Sequence, residues 1–243
     1  MPPALVLLHG FTQTRQSWRR TVQALQGRYR AITPDLPGHG QSSRRPASFA
    51  ATAAYVRALE PDILAGYSMG GRIALHAAFT VRPQRLILVG ASPGLANAGE
   101  RTQRKRQDDA LADRIEEIGI EAFATEWGAQ PLFAGQPERV RNAAYADRLR
   151  NTPHGLATAL RGLGTGVMEP LWDRLGELDL PVTLIVGERD EKFRAIAERM
   201  RERLPRAELT VVPGAGHAAQ LERPELVAEA IYQSGSPSSS ASA

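Results

Sequence analysis

The chain contains no cysteine among its 243 residues, which excludes a disulfide framework and any thiolate metal site. Lysine is nearly absent too: of 30 basic side chains only Lys105 and Lys192 are lysines, the rest being arginine. Aromatic residues are sparse at 6%, and no stacking-aromatic motif accompanies the arginines. Acidic residues interleave with them, as over residues 101–113, so the net charge of +4 reads as solvated arginine-rich faces and no nucleic-acid partner is expected. No apolar run approaches the roughly 20 residues that cross a bilayer. The opening Met1-Pro2-Pro3 leads straight into a short apolar stretch, without the basic start and longer run of a secretory signal. The expectation is a cytoplasmic protein without membrane insertion, and a monomer. What is present is 42% hydrophobic residues, enough for one domain that buries about three quarters of its unfolded surface.

Short runs rich in Val, Ile and Leu recur at residues 4–8, 29–33, 62–65, 85–89, 182–186 and 208–212, each bounded by Gly or Pro. Helical patterning follows most of them, over 15–26, 48–59, 70–79, 191–204 and 224–233. Continuous apolar strands alternating with helices predict an α/β fold, a mostly parallel, doubly wound sheet covered on both faces. Between residues 92 and 180 no strand run appears. Charged amphipathic segments at 99–118, 120–127, 137–150 and 156–162 predict a helical cap (92–180) inserted into a core made of 1–91 and 181–233. Such a cap lies over the C-terminal sheet edge where open α/β sheets bind ligands. Joined to the core near Ser92 and near Leu180, it is expected to hinge there. Residues 234–243, rich in Ser, Gly, Pro and Ala, read as a disordered tail.

Gly66-Tyr67-Ser68-Met69-Gly70-Gly71 stands between a strand run and a helix run, the context of a nucleophile elbow. A serine hydroxyl needs a base, and the base an orienting acid. His217, in Gly214-Ala215-Gly216-His217 after the last strand, has the order and place of the base. His76 lies inside the helix after the elbow, His154 in the cap, and His9 and His39 in loop motifs. Asp190 follows the fifth strand and completes the order Ser68, Asp190, His217; Glu188, two residues earlier, is its rival. His9-Gly10-Phe11 after the first strand fits an oxyanion-hole loop, in which the Phe11 and Met69 backbone N–H groups converge and His9 only braces the turn. Residues 35–42, Asp-Leu-Pro-Gly-His-Gly-Gln-Ser, read as structural support beside the pocket.

Together these motifs resemble the α/β-hydrolase superfamily. The stretches 66–72, 92–95 (Ser-Pro-Gly-Leu), 130–133 (Gln-Pro-Leu-Phe), 164–166, 170–172 and 187–193 resemble, more narrowly, the menaquinone-pathway enzymes 2-succinyl-6-hydroxy-2,4-cyclohexadiene-1-carboxylate synthase (MenH). The likeness runs from about Leu5 to Leu226 and departs at Val167-Met168-Glu169. The first strand begins at Ala4, leaving no room for the superfamily's two leading antiparallel strands, so a smaller sheet is expected. The resemblance implies a lyase that expels pyruvate from a tricarboxylate, with no cofactor and no metal. It implies carboxylate binding by Arg72, one helical turn after Ser68, and by Arg104 and Arg148 in the cap, with Tyr67 and Trp127 also in the pocket. Arg101, Arg106 and Arg150 stand close enough to take the cap arginines' roles, and Trp127 could equally be packing. A serine carboxylesterase or C–C hydrolase shares the triad, and a non-catalytic binding protein on the same fold is the alternative of a different class.

Overall fold

In the computed structural model, which describes residues 1–233, six strands form one sheet: β1 (Ala4–Leu8), β2 (Arg30–Ile32), β3 (Ile63–Tyr67), β4 (Arg85–Val89), β5 (Val182–Gly187) and β6 (Ala207–Val212). The order is β2-β1-β3-β4-β5-β6 and every pairing is parallel. The chain matches the smaller sheet expected for a domain without the leading antiparallel pair. Residues 234–243, where a disordered tail is expected, lie outside the described residues.

Period-two alternation divides the core. Val6 and Leu8 of β1, Leu64 of β3, Leu86 and Leu88 of β4, and Leu184 and Val186 of β5 face α2 (Phe49–Arg57), α3 (Met69–Val81) and α7 (Glu191–Arg201). Leu5, Leu7, Ile63, Ala65, Ile87, Val89 and Ile185 face the other way, toward Trp18, α1 (Arg19–Ala24) and α9 (Pro224–Gln233). Burial on both faces is why the strands read as unbroken apolar runs. The edge strand β2 is only three residues long and partly exposed.

Three long helices intervene between β4 and β5: α4 (Ala98–Gly128), α5 (Glu138–Arg148) and α6 (Pro153–Leu163). α4 is broken at Gly119, whose φ of 79° and ψ of 176° no helix contains, so the two segments expected at 99–118 and 120–127 are both present. Ala112, Ile115 and Phe123 of α4 pack on Leu156, Ala157 and Leu160 of α6, and Phe11 from the core joins this cluster. The expectation of a cap held only at its two ends is corrected. The C-terminal end of α5 is also bonded to the core: Asp147 accepts the backbone N–H and the hydroxyl of Thr14 (2.9 and 2.5 Å). Asn151 donates to the Thr12 carbonyl (2.9 Å) and accepts the Gly40 N–H (3.0 Å). Buried polar bonds of this kind are costly to break, so α5 is the fixed end of the insertion. No helix among the described residues is long and apolar enough to cross a membrane.

Candidate active site

In this strand order the chain crosses from β2 back to β3 on the far side of β1, which makes the C-terminal ends of β1 and β3 a topological switch point. The loop carrying Phe11 leaves β1 there, and Ser68 follows β3 there. Ser68 has φ 50° and ψ −109°, a conformation that L-residues avoid, and its N–H is held by the Val89 carbonyl at 2.9 Å. Such a sharp turn brings backbone onto backbone. A Cβ at Gly66 would overlap the Gly70 carbonyl, and one at Gly70 would overlap the Leu8 and His9 carbonyls. The elbow is therefore strained. Ser68→Gly is expected to release roughly 1 kcal/mol, raising Tm by about 2–4 °C in a chain of this size. A Tm unchanged or lowered in a scanning calorimetry run would show that the turn stores no strain.

The hydrogen-bonded chain from this serine is complete. Ser68 Oγ lies 3.1 Å from His217 Nε2, and His217 Nδ1 lies 2.7 Å from Asp190 Oδ2. With Asp190 accepting at Nδ1–H, Nε2 is left to accept the serine proton. The imidazole is buried between Phe193 (ring centroids 4.4 Å apart) and Tyr67 (5.3 Å). The other oxygen of Asp190 caps α7 by accepting the Phe193 N–H at 3.4 Å, which fixes the carboxylate plane. Glu188, the rival acid, is directed elsewhere and accepts the Gly214 N–H at 2.8 Å. Met69 is the first residue of α3, so its N–H has no carbonyl within the helix to bond.

The remaining histidines lie away from the serine. His9 is wholly buried, accepts the Leu36 N–H at Nε2 (2.9 Å) and donates from Nδ1 to the Gly10 carbonyl (2.9 Å). His39, equally buried, accepts the Thr12 N–H (3.3 Å) and donates to the Pro37 carbonyl (3.1 Å). The two rings meet edge to face at 4.9 Å and brace the Phe11 loop against residues 35–42. His76 packs on Phe49, and exposed His154 pairs with Glu116.

A cavity of about 340 Å³ opens beside Ser68, walled by Arg72, Arg104, Trp127, Lys192 and His217 among others. A smaller recess of about 40 Å³ shares Ser68, Trp127 and His217 and adds Tyr67, Gln136 and Arg148. Arg72 has no carboxylate partner among the described residues; its one bond is to the Leu163 carbonyl at 2.9 Å. Burial, and then repulsion from Arg104, pulls its guanidinium down to about 10, with Asp108 opposing. Arg104 is half-exposed and bonded to Asp108 at 2.8 Å. Arg148, 5% exposed and also without an ion pair among the described residues, sits over the Phe133 ring at 5.5 Å. Burial lowers its pKa, while Tyr67 and Asp147 act the other way. Burial, and then the negative charges of Asp190 and Glu222, holds the Tyr67 phenol far above its ordinary range, so it is a neutral donor. Trp127 packs on Phe11 and Phe123, yet its buried indole N–H has no partner among the described residues. The competing arginines are engaged elsewhere. Arg101 donates to the Leu95 and Ala96 carbonyls, Arg106 is exposed, and Arg150 approaches Asp147 at 3.8 Å. Lys192 and Gln136 line the site without having been singled out in the sequence. Lys192 carried a signal, as one of two lysines inside the 187–193 stretch; Gln136 carried none.

Comparison with known proteins agrees with this architecture. The chain matches the alpha/beta hydrolase family over residues 5–230. It is 34% identical, over 95% of its length and 93% of the relative's, to 2-succinyl-6-hydroxy-2,4-cyclohexadiene-1-carboxylate synthase of Salmonella typhimurium. It is 40% identical, over 95% and 89%, to a Bacillus subtilis protein that bears the same name provisionally. The solved structure of MenH from S. aureus superposes with a TM-score of 0.91 at 33% identity, covering 96% of this chain and 93% of that one. A thermophilic esterase from Thermogutta terrifontis, solved with malate bound, gives 0.80 at 27% identity, covering 95% and 88%. The chain belongs to the α/β-hydrolase family and, within it, to the 2-succinyl-6-hydroxy-2,4-cyclohexadiene-1-carboxylate synthases.

Proposed function

We propose that this protein is the lyase of menaquinone biosynthesis that eliminates pyruvate from 2-succinyl-5-enolpyruvyl-6-hydroxy-3-cyclohexene-1-carboxylate. Ser68, activated by His217 and Asp190, acts as the base that removes the ring proton at C2, α to the succinyl ketone. The C2–H electrons form C2=C3, the C3=C4 pair moves to C4=C5, and the C5–O bond breaks. The C5–O pair stays on the departing oxygen, which takes the proton held by His217, so pyruvate leaves as its enol and the product is the conjugated 2,4-diene. The Phe11 and Met69 N–H groups hold the charge that develops on the ketone oxygen, as they would hold the oxyanion of an ester.

The observation that carries this assignment is the set of guanidiniums around Ser68. Arg72, half-buried and repelled by Arg104, lines one recess at Ser68, and buried Arg148 lines the other; neither has an ion-pair partner among the described residues. Buried cations without partners are costly and are retained where an anion completes them. Cations in both recesses at the serine suit a substrate with three carboxylates, which planar guanidinium forks bind two oxygens at a time. Tyr67 and the orphan Trp127 N–H supply neutral donors for the same ligand. Helices of residues 92–180 act as the cap that carries Arg104, Trp127 and Arg148, and their cover over the ring keeps water from the diene.

The test is release of pyruvate, followed with lactate dehydrogenase, when the protein meets enzymatically generated pathway substrate. Brisk ester hydrolysis with no pyruvate would instead assign the esterase chemistry of the same triad. Arg72→Ala is expected to lower kcat/KM for the tricarboxylate about ten- to hundredfold, since a buried charge-assisted bond contributes roughly 1.5–3 kcal/mol. A small neutral ester offers Arg72 no carboxylate, so an equal loss on such an ester would remove that role.

A further inference from the structure

Glu222 ends the short helix α8 (Ala219–Glu222) and is 2% exposed. A carboxylate so buried persists only with donors around it. Its three come from three separate segments. Oε2 accepts the Gly216 N–H at 2.9 Å and Arg189 Nη2 at 2.8 Å, and Oε1 accepts Gln136 Nε2 at 3.3 Å. Gly216 immediately precedes His217, and Arg189 immediately precedes Asp190. Gln136 belongs to the loop before α5 and lines the recess that holds Arg148 and Tyr67. Arg189 grips the same loop a second time, donating from Nη1 to the Gly135 carbonyl at 3.1 Å, and its own N–H is held by the Ala215 carbonyl at 2.9 Å. One ion pair, between buried Glu222 and exposed Arg189, thus ties the acid's loop, the base's loop and the wall of the binding recess together.

We propose that Glu222, with Arg189, is a positioning pair that holds His217 in line with Ser68 and links that alignment to the segment 134–137 facing the substrate. The proposal rests on the triad assignment above. Filling the recess beside Arg148 presses on Gln136. The strain passes through one carboxylate to the Gly216 amide, and so to the imidazole. The Gly216 N–H needs only an acceptor oxygen, whereas Arg189 needs the charge, so the two functions separate by substitution.

The experiment compares wild type with Glu222→Ala, Glu222→Gln and Gln136→Ala. It measures kcat and KM for pyruvate release, Tm, and the low-field proton resonance of the His217 Nδ1–H bonded to Asp190. Glu222→Ala is expected to lower kcat about ten- to hundredfold with KM changed less than threefold, and to broaden or remove the low-field resonance. Glu222→Gln, which still offers an oxygen to Gly216, should recover most of kcat and restore the resonance. Gln136→Ala should shift the resonance in the ligand-filled protein while leaving it in place in the free protein. A Glu222→Ala protein with lowered Tm but wild-type kcat and resonance overturns the proposal, the pair then being a structural brace. So does a Glu222→Gln protein no better than Glu222→Ala. Should Glu222→Ala prove insoluble, Gln136→Ala still decides: a wild-type spectrum with and without ligand overturns the link. Failure of the triad assignment looks different, as a wild-type protein that shows no low-field resonance and whose Ser68→Ala variant still releases pyruvate at the wild-type rate.

Discussion

Ser68→Ala should lower pyruvate release by roughly 10²–10⁴-fold, the range that a positioned general base contributes. His217→Ala should cost about as much, and the double variant should be no slower than the slower single one. Groups joined in one hydrogen-bonded chain act as a unit, so removing either end removes the whole. The geometry sets this expectation: Oγ to Nε2 at 3.1 Å and Nδ1 to Asp190 at 2.7 Å leave the imidazole one basic nitrogen, aimed at the serine. Folding should survive, because an alanine in place of Ser68 keeps a small side chain at the same strained turn. The check is steady-state pyruvate release at saturating substrate, with Tm measured on each variant. Losses that multiply in the double variant would mean that serine and histidine act in separate steps. A Ser68→Ala enzyme within threefold of wild type would place the base elsewhere, with His217 itself the group to examine.

What could be read in the sequence has a common physical origin. The four inner strands were legible because burial on both faces makes each a continuous apolar run, and Ser68 and Asp190 each follow one; His217 follows the edge strand β6, whose apolar pattern is broken by Glu208 and Thr210. The short edge strand β2 came out narrower than its apolar pattern, three residues in place of five, since a half-exposed edge needs fewer of them buried. Arg104 could not be told from Arg101 and Arg106 by spacing. Which guanidinium faces the cavity is decided by how the first segment of α4 sits on the core, and of the three only Arg104 lines it. The contacts that escaped altogether join residues far apart in the chain: Thr14 with Asp147, Thr12 with Asn151, Gln136 with Glu222. A lone Glu in Gln220-Leu221-Glu222-Arg223-Pro224 has the local signature of a solvated surface residue. Its burial is decided by the loops that close over it, and no periodicity encodes that. The third attachment of the insertion, between the first β–α loop and the end of α5, escaped for the same reason.

Acid should destabilise this protein well before its carboxylates are protonated, through His9 and His39. Burial pulls His9 from 6.5 down to about 4. Burial, then the neighbouring His9, pulls His39 down to about 3. The bonds explain the direction. Each ring accepts a backbone N–H at Nε2, so a proton there would set two N–H groups against each other in a site closed to water. Two cationic rings 4.9 Å apart would also repel. Above about pH 6.5 both histidines are neutral whether the chain is folded or not, and pH has no effect through them. Below it the unfolded chain binds protons that the folded one refuses, so stability falls with pH, levelling near pH 4 for His9 and near pH 3 for His39. At pH 4.5, two units below the ordinary value, each contributes a loss of about 3 kcal/mol at about 1.4 kcal/mol per unit. The pair together then removes a large share of a stability that is about 5–15 kcal/mol in most domains. Urea unfolding at pH 7.0 and pH 4.5 measures it, and equal free energies at the two values would refute the buried, neutral assignment. His39→Gln should roughly halve the slope between pH 6.5 and 4.5 whatever it costs at neutral pH, because it removes one titrating ring.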